Sequence, residues 1–306
     1  MDLRQLRQFV AVAEELHFGR AAERLNMTQP PLSQAIQLLE AELGVQLLAR
    51  TKRQVALTPV GRQWLDEARK VLADAAALPD MARRLALGEL GQLRLAFVST
   101  ADYSVLPGLV SRYRVVAPDV KVALREATSD IQIEALLNDE IDAGMIIAQA
   151  RGSMPPSLGY RPLLREPLVA VVPAAWVKEG RAGFAGASVS PATVVATPLV
   201  VFPRRSAPGF HDTIVDYYVQ HGFRPMIAQE AIQMQTIIGL VAAGLGMALV
   251  PQSLTNLVRA GARYLPLEGG APDIETGLIW RMEDRSPALA RFLDIAGGLM
   301  LPPIGP

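Results

Sequence analysis

Along the first ninety residues the apolar positions recur at threes and fours, and beyond them they collect into short runs bounded by turn residues. Leu3, Leu6, Phe9, Val10, Ala13 and Leu16 mark one face of a first helix. Phe18, Ala21, Ala22 and Leu25 mark a face of a second, whose alanines are small enough to let another helix cross closely. Asn26 tolerates a left-handed turn, and Thr28 is a suitable N-cap for a third helix. Gln29, Pro30 and Pro31 fall in its first turn, where a proline forfeits no intrahelical hydrogen bond. Leu32, Ile36 and Leu39 then form a buried stripe, with Gln29, Ser33, Gln34 and Gln37 on the opposite face. The spacing over residues 18–39 predicts two short helices meeting at a tight turn, a helix-turn-helix, with the first helix as their support.

Gly44 is a natural helix stop, and Val45, Leu47 and Leu48 open an extended segment. Arg50, Thr51, Lys52 and Arg53 form a dense basic cluster before Val55, Ala56 and Leu57, which reads as a wing of two short strands joined by a basic turn. Thr58 and Pro59 start a further helix, and Leu65, Ala68, Leu72, Ala75, Leu78, Ala82 and Leu85 carry its stripe to about residue 87. At about 1.5 Å per residue it spans roughly 40 Å, too long to bury that stripe on a three-helix domain, so a second copy is expected against it. Pro79 predicts a kink or a short break. Gly88 and Gly91 flank a short acidic spacer, read as a hinge over 88–91.

From Gln92 strands and helices alternate. QLRLAFV, VKVALREA and DAGMIIA are strands separated by helices over 105–116 and 130–138, an order that predicts a parallel α/β sheet. A second unit starts near Leu163 with PLVAVVP, PLVVF, a helix over 209–221, a short strand at 226–229, a helix through Val241, and MALVP. YLPLE, ETGLIWRM and a last helix over 286–300 return to the first. The expected division is a DNA-binding domain at 1–58, a linker helix at 59–87, the hinge, and a two-lobed domain at 92–306. Its lobes are 92–162 plus 268–306, and 163–267.

Composition limits the function classes. Half of the 306 residues are hydrophobic, so real cores are expected, and the formal net charge of zero argues against coating nucleic acid by bulk electrostatics. There is no cysteine, hence no thiolate metal site, and no metal or cofactor is expected. The first residues lack an apolar signal core and no stretch approaches about 20 apolar residues, so a cytoplasmic protein without a membrane role is expected. Enzyme readings fail: there is no phosphate loop or nucleophile elbow, GLGMAL at 244–249 is an incomplete dinucleotide motif, and His17, His211 and His221 are scattered.

The candidate chemistry lies in two places. Glutamine can bridge an adenine edge in the major groove and serine can meet a base or phosphate, so Gln29, Ser33, Gln34 and Gln37, with Pro30 and Pro31 at the helix start, suit DNA reading. Arg50, Lys52 and Arg53 are placed to anchor phosphates. In open α/β sheets ligands bind beyond the carboxyl ends of strands, which singles out Ser99, Thr100, Thr128, Ile147, Phe202, Pro203 and Arg204. A small organic acid is the expected guest, aromatic or derived from ring cleavage, with Arg204 or Arg205 supplying a cation. The competing reading is a solute-binding protein without a DNA role, which leaves the first sixty residues unexplained.

QPPLS at 29–33 and RTKRQVALTPVG at 50–61, within a match running over 1–61, resemble the LysR-type transcriptional regulators, in particular the branch controlling catechol, benzoate and chloroaromatic degradation. The sequence departs at Gln34 and Ala35, where that branch often has arginine followed by glutamine. The resemblance implies a winged helix-turn-helix, a dimerising linker helix, and a periplasmic-binding-protein-like effector domain over about 92–300. It also implies effector contacts at Ser99 and Thr128, a homodimer pairing into a homotetramer, promoter DNA as partner, and RNA polymerase downstream.

Overall fold

The computed structural model describes residues 1–50, 54–148 and 154–298. They form two compact units that part between Arg83 and Arg84. In the first, α1 (Leu3–Glu15), α2 (Phe18–Arg24) and α3 (Gln29–Leu43) pack around Phe9, Val12, Ala21, Leu32, Ile36 and Leu39, all sealed from solvent. Asp2 closes α1 with a reciprocal capping box through Gln5, and His17 Nδ1 accepts from the amides of Gly19 and Arg20 to cap α2. Asn26 takes the left-handed turn that the sequence predicts, with φ 53°.

Thr28 stands at the N-cap of α3 but its side chain makes no capping bond, against expectation. The reason is chemical: an N-cap oxygen accepts from the second or third helical amide, and here those residues are Pro30 and Pro31, which have none.

The wing is a two-stranded antiparallel ribbon, β1 (Leu48–Arg50) and β2 (Val55–Leu57), with Leu48 opposite Leu57. Glu40, near the end of α3, fixes it by accepting from the amides of Leu47 and Leu48 at 2.9 and 3.0 Å and from Arg50 Nη2 at 2.7 Å. The next helix, α4 (Pro59–Ala86), leans so closely on this segment that a Cβ on Gly61 would lie 2.0 Å from Leu47 O. Phe9 meets Trp64 of α4 edge-on at 4.7 Å. α4 runs through Pro79 without the expected break; Pro79 is exposed, so water can satisfy the carbonyl that its ring deprives of a donor.

The second unit opens with β3 (Leu90–Phe97), α5 (Ser99–Asp102), α6 (Val105–Val116), β4 (Asp119–Glu126), α7 (Ser129–Leu137) and β5 (Ala143–Ile147). Leu90 and Gly91 already pair with Asp119 and Val120, so half of the span expected as a hinge is strand. Next come β6 (Leu158–Pro173), α8 (Ala174–Lys178), α9 (Pro191–Val195), β7 (Leu199–Val201), α10 (Pro208–Gln220), β8 (Ile227–Glu230), α11 (Met234–Ala242) and β9 (Ala248–Pro251). A 3-10 turn (Gln252–Asn256), β10 (Ala262–Pro266), β11 (Asp273–Arg281) and α12 (Pro287–Gly297) complete it.

The first lobe is mixed, not parallel as its order of elements predicts. β3 pairs parallel with β4 and β5, but β11 lies antiparallel to both β5 and β6 because it returns from the other lobe. Nor does a lobe start near Leu163. β6 is one unbroken strand, paired with β11 up to Pro167 and with β9 and β10 from Leu168 onward. β7 and β8 form a separate parallel pair in the second lobe.

At the point where β6 changes partners sits Glu166, 2% exposed. Its carboxylate accepts from Ser253 N at 2.6 Å and Ser253 Oγ at 3.0 Å, in the 3-10 turn after β9. Burial pushes its pKa above the usual carboxylate range, and the two Ser253 bonds oppose this only in part. A raised folded value means that the folded chain holds this proton more tightly than the unfolded one, so the group's contribution is complete below about pH 4.3 and is lost as pH rises through the folded value. Glu166→Gln, which cannot ionise, should therefore gain melting temperature relative to wild type between pH 5 and pH 8. A difference that stays constant across that range would show that Glu166 does not titrate there. Removing the wing's tether by Glu40→Ala leaves two amides and Arg50 without an acceptor and should cost the first unit about 1–3 kcal/mol, read from its chemical unfolding.

Candidate functional site

α3 presents a polar face that folding leaves free. Gln29, Pro30, Pro31, Gln34 and Gln37 are exposed and Ser33 is half-buried, while Leu32, Ile36 and Leu39 on the other side are completely buried. Among the described residues the side chains of Gln29, Ser33, Gln34 and Gln37 make no hydrogen bond, so their donors and acceptors stand open along two turns of helix. The wing contributes differently from expectation. Arg50 is turned inward, its guanidinium on Glu40 and 5.1 Å from the ring centre of Phe18, and only 26% of its side chain is exposed. Its charge is already engaged, so it acts as a strut for β1. Lys52 and Arg53 lie outside the described residues. The sequence contained a sign of the strut in Glu40, an acid at the end of a helix with the basic turn ten residues on.

A narrow cleft opens between the lobes of the second unit. Its near wall is the set of strand ends: β3 delivers Val98, Ser99 and Thr100, β4 delivers Glu126, Ala127 and Thr128, and β5 ends at Ile147. These ends are level because the parallel register sets Phe97 beside both Glu126 and Met145. The far wall is Phe202 after β7, Ser206 and Ala207 before α10, and Ile232 and Gln233 before α11. At one side the lobes are tied: Gln235 Nε2 donates to Tyr103 Oη at 2.8 Å and Asn256 Nδ2 to Tyr103 O at 3.1 Å.

Five of the seven residues that the strand-end rule singled out, Ser99, Thr100, Thr128, Ile147 and Phe202, line this one cleft. Pro203 is buried behind it, and Arg204 is elsewhere. Arg204 Nε and Nη2 hold Asp212 of α10 at 2.7 and 2.9 Å, with 66% of its side chain exposed. This pairing holds the Asp212 carboxyl below the usual carboxylate range. The expected cation is thus matched to a partner eight residues along its own chain, and Arg205 does not line the cleft either.

Thr128 starts α7 without capping it, since its hydroxyl is directed to the Asp130 carboxylate. The hydroxyl of Thr100 is fully buried and has no partner among the described residues. Glu126, Ser206, Ala207, Ile232 and Gln233 are lining residues that the sequence reading missed. Glu126 could have been found by the same rule, as the last residue of a strand; the others face the cleft only through pairings distant in sequence.

Comparison with known proteins identifies both parts of the chain. Residues 3–62 match the family model described as "Bacterial regulatory helix-turn-helix protein, lysR family", and residues 87–300 match "LysR substrate binding domain". The chain is 55% identical over 293 residues to the HTH-type transcriptional regulator IlvR of Caulobacter vibrioides, covering 96% of each chain. It is 38% identical to the HTH-type transcriptional regulator AlsR of Bacillus subtilis, covering 97% of this chain and 95% of that one. The crystal structure of full-length CbnR complexed with its target DNA matches with a TM-score of 0.77 at 30% identity, over 97% of this chain and 99% of that one. That likeness agrees with the branch that the QPPLS and RTKRQVALTPVG motifs resemble. The chain belongs to the LysR family of DNA-binding transcriptional regulators, with an N-terminal helix-turn-helix and a C-terminal effector-binding domain.

Proposed function

We propose that this regulator reads a promoter through α3 and sets transcription according to a small organic acid held between its lobes. The observation that carries the reading is the pairing, in one chain, of an unbonded polar helix face with a cleft that gathers the strand-end hydroxyls. Gln29, Ser33, Gln34 and Gln37 are the base-reading side chains, with Pro30 and Pro31 stiffening the entry to the groove. Lys52 and Arg53 supply the phosphate contacts of the wing, and Arg50 holds the strand that carries them.

In the cleft, Ser99 and Thr100 offer hydroxyls to a carboxylate, Thr128 does so on releasing Asp130, and Ile147 and Phe202 offer an apolar wall to its body, which suits an aromatic or ring-cleavage-derived acid. α4 supports dimerisation, since Val71, Leu78, Met81 and Leu85 expose an apolar seam along it. Pairing of dimers into a homotetramer, action on RNA polymerase and a cytoplasmic setting complete the reading. A solute-binding role alone leaves the reading face without a task.

Gln29→Ala should cost about 1–3 kcal/mol on the preferred promoter site and little on random DNA, measured side by side by fluorescence anisotropy at one salt concentration. Equal losses on both would remove Gln29 from the reading set. For the cleft, Ser99→Ala and Thr128→Val should each weaken binding of a small acid effector by about 1.5–3 kcal/mol, the range for a hydrogen bond to a charged group. Calorimetric titration that finds both variants unchanged would remove this site from consideration.

A further inference from the structure

The cleft has one charged lining residue among those described, and it is an acid. Glu126 makes no ion pair or hydrogen bond among the described residues. Its neighbour Arg125 points to Glu140, with Nη1 3.1 Å from the carboxylate, and Arg204 is held by Asp212. Arg151 lies outside the described residues. A guest with only a carboxylate would meet a like charge here. A guest that brings its own cation would meet an acceptor.

The opposite pole of the site is beside it. α7 is nine residues long and its first-turn amides have no side-chain cap, so they remain available to an anion, with the Asp130 carboxylate of that turn held by the Thr128 hydroxyl. Independently, the buried and unpartnered Thr100 hydroxyl belongs to the same lining. Glu126 and the α7 N-cap Thr128 are two residues apart on extended backbone, with Ala127 N still bonded to Phe97 O, which sets their Cα atoms roughly 7 Å apart. Opposite charges carried as two substituents of one carbon in a small guest, each reaching its pole through a hydrogen bond, suit that spacing. Of the remaining lining, Val98, Ile147, Phe202, Ala207 and Ile232 give an apolar wall for the rest of the molecule, beside the polar Ser99, Ser206 and Gln233.

We propose that the effector is a 2-amino acid with an apolar side chain, its ammonium read by Glu126 and its carboxylate by the α7 amides and the Thr100 hydroxyl. This inference rests on the reading of the cleft as a small-acid site and narrows it.

The test is calorimetric titration of the full-length chain with two matched pairs: L-phenylalanine against 3-phenylpropanoate, and L-leucine against 4-methylpentanoate. In at least one pair the amino acid should bind about tenfold or more tightly than its deaminated partner. Glu126→Gln should remove that preference by weakening the amino acid and sparing or improving the plain acid, with an unchanged melting temperature showing that the variant is folded. Plain acids that bind as tightly as their aminated partners, or a preference that survives Glu126→Gln, would overturn the ammonium assignment while leaving the small-acid reading intact. If none of the four compounds binds, the small-acid reading itself falls, and this inference with it.

Discussion

The effector domain depends on one strand being shared by two lobes. β6 is bonded to β11 over its first half and to β9 and β10 over its second, so the register that builds one lobe also fixes the other. The return path lies beside it, with Leu168 N donating to Pro272 O at 2.9 Å where the chain crosses back. A slip of one residue along β6 would turn its buried side chains to the opposite face in both lobes at once. The second half, 168–173, cannot absorb such a slip: Leu168 through Pro173 are buried without alternation, as befits a central strand covered on both faces. A buried Glu166 at the changeover is tolerated because Ser253 gives it two donors, and those same bonds anchor the turn after β9.

The cleft arises from this constraint together with the parallel register of β3, β4 and β5. Strands that run the same way and end level present their next residues to one place, so Ser99, Thr128 and Ile147 converge although nearly fifty residues separate the first from the last. That convergence was legible in the sequence because it requires only the order of elements and the position of each strand end. Helix periodicity was legible for the same kind of reason: the stripes of Leu32, Ile36 and Leu39, and of Phe18, Ala21 and Ala22, are the buried ones. The far wall was not legible beyond Phe202. Ser206, Ala207, Ile232 and Gln233 reach the cleft only once β6 has set the second lobe against the first, and no local spacing encodes that.

Charge was the least legible feature, and the two arginines show why. A guanidinium takes the carboxylate within its reach, and where folding draws it partly out of water, as with Arg50, leaving it unpaired would be costly. For Arg50 that partner is Glu40, on the preceding helix; for Arg204 it is Asp212, one helix on. Sequence reading assigns an arginine to a task by its position in a motif, whereas the fold assigns it first to its nearest acid. Glu126 is the converse. Its cationic neighbour Arg125 is on the other face of the strand and engaged with Glu140, so an ordinary strand residue becomes the unbalanced charge of the site.

Threonine at a helix start shows how the same local pattern serves different ends. Thr28 and Thr128 both occupy N-cap positions with extended backbone, and neither caps. At α3 the cause is Pro30 and Pro31: the first turn has few amides to offer, so this terminus is a poor anion site and recognition must come from side chains along the helix. At α7 the amides are present and the hydroxyl has been drawn aside to Asp130, so the terminus keeps its positive end open toward the cleft. One helix start is thereby suited to reading base edges and the other to holding an anion, a distinction that lies in the first three residues after each cap rather than in the cap itself.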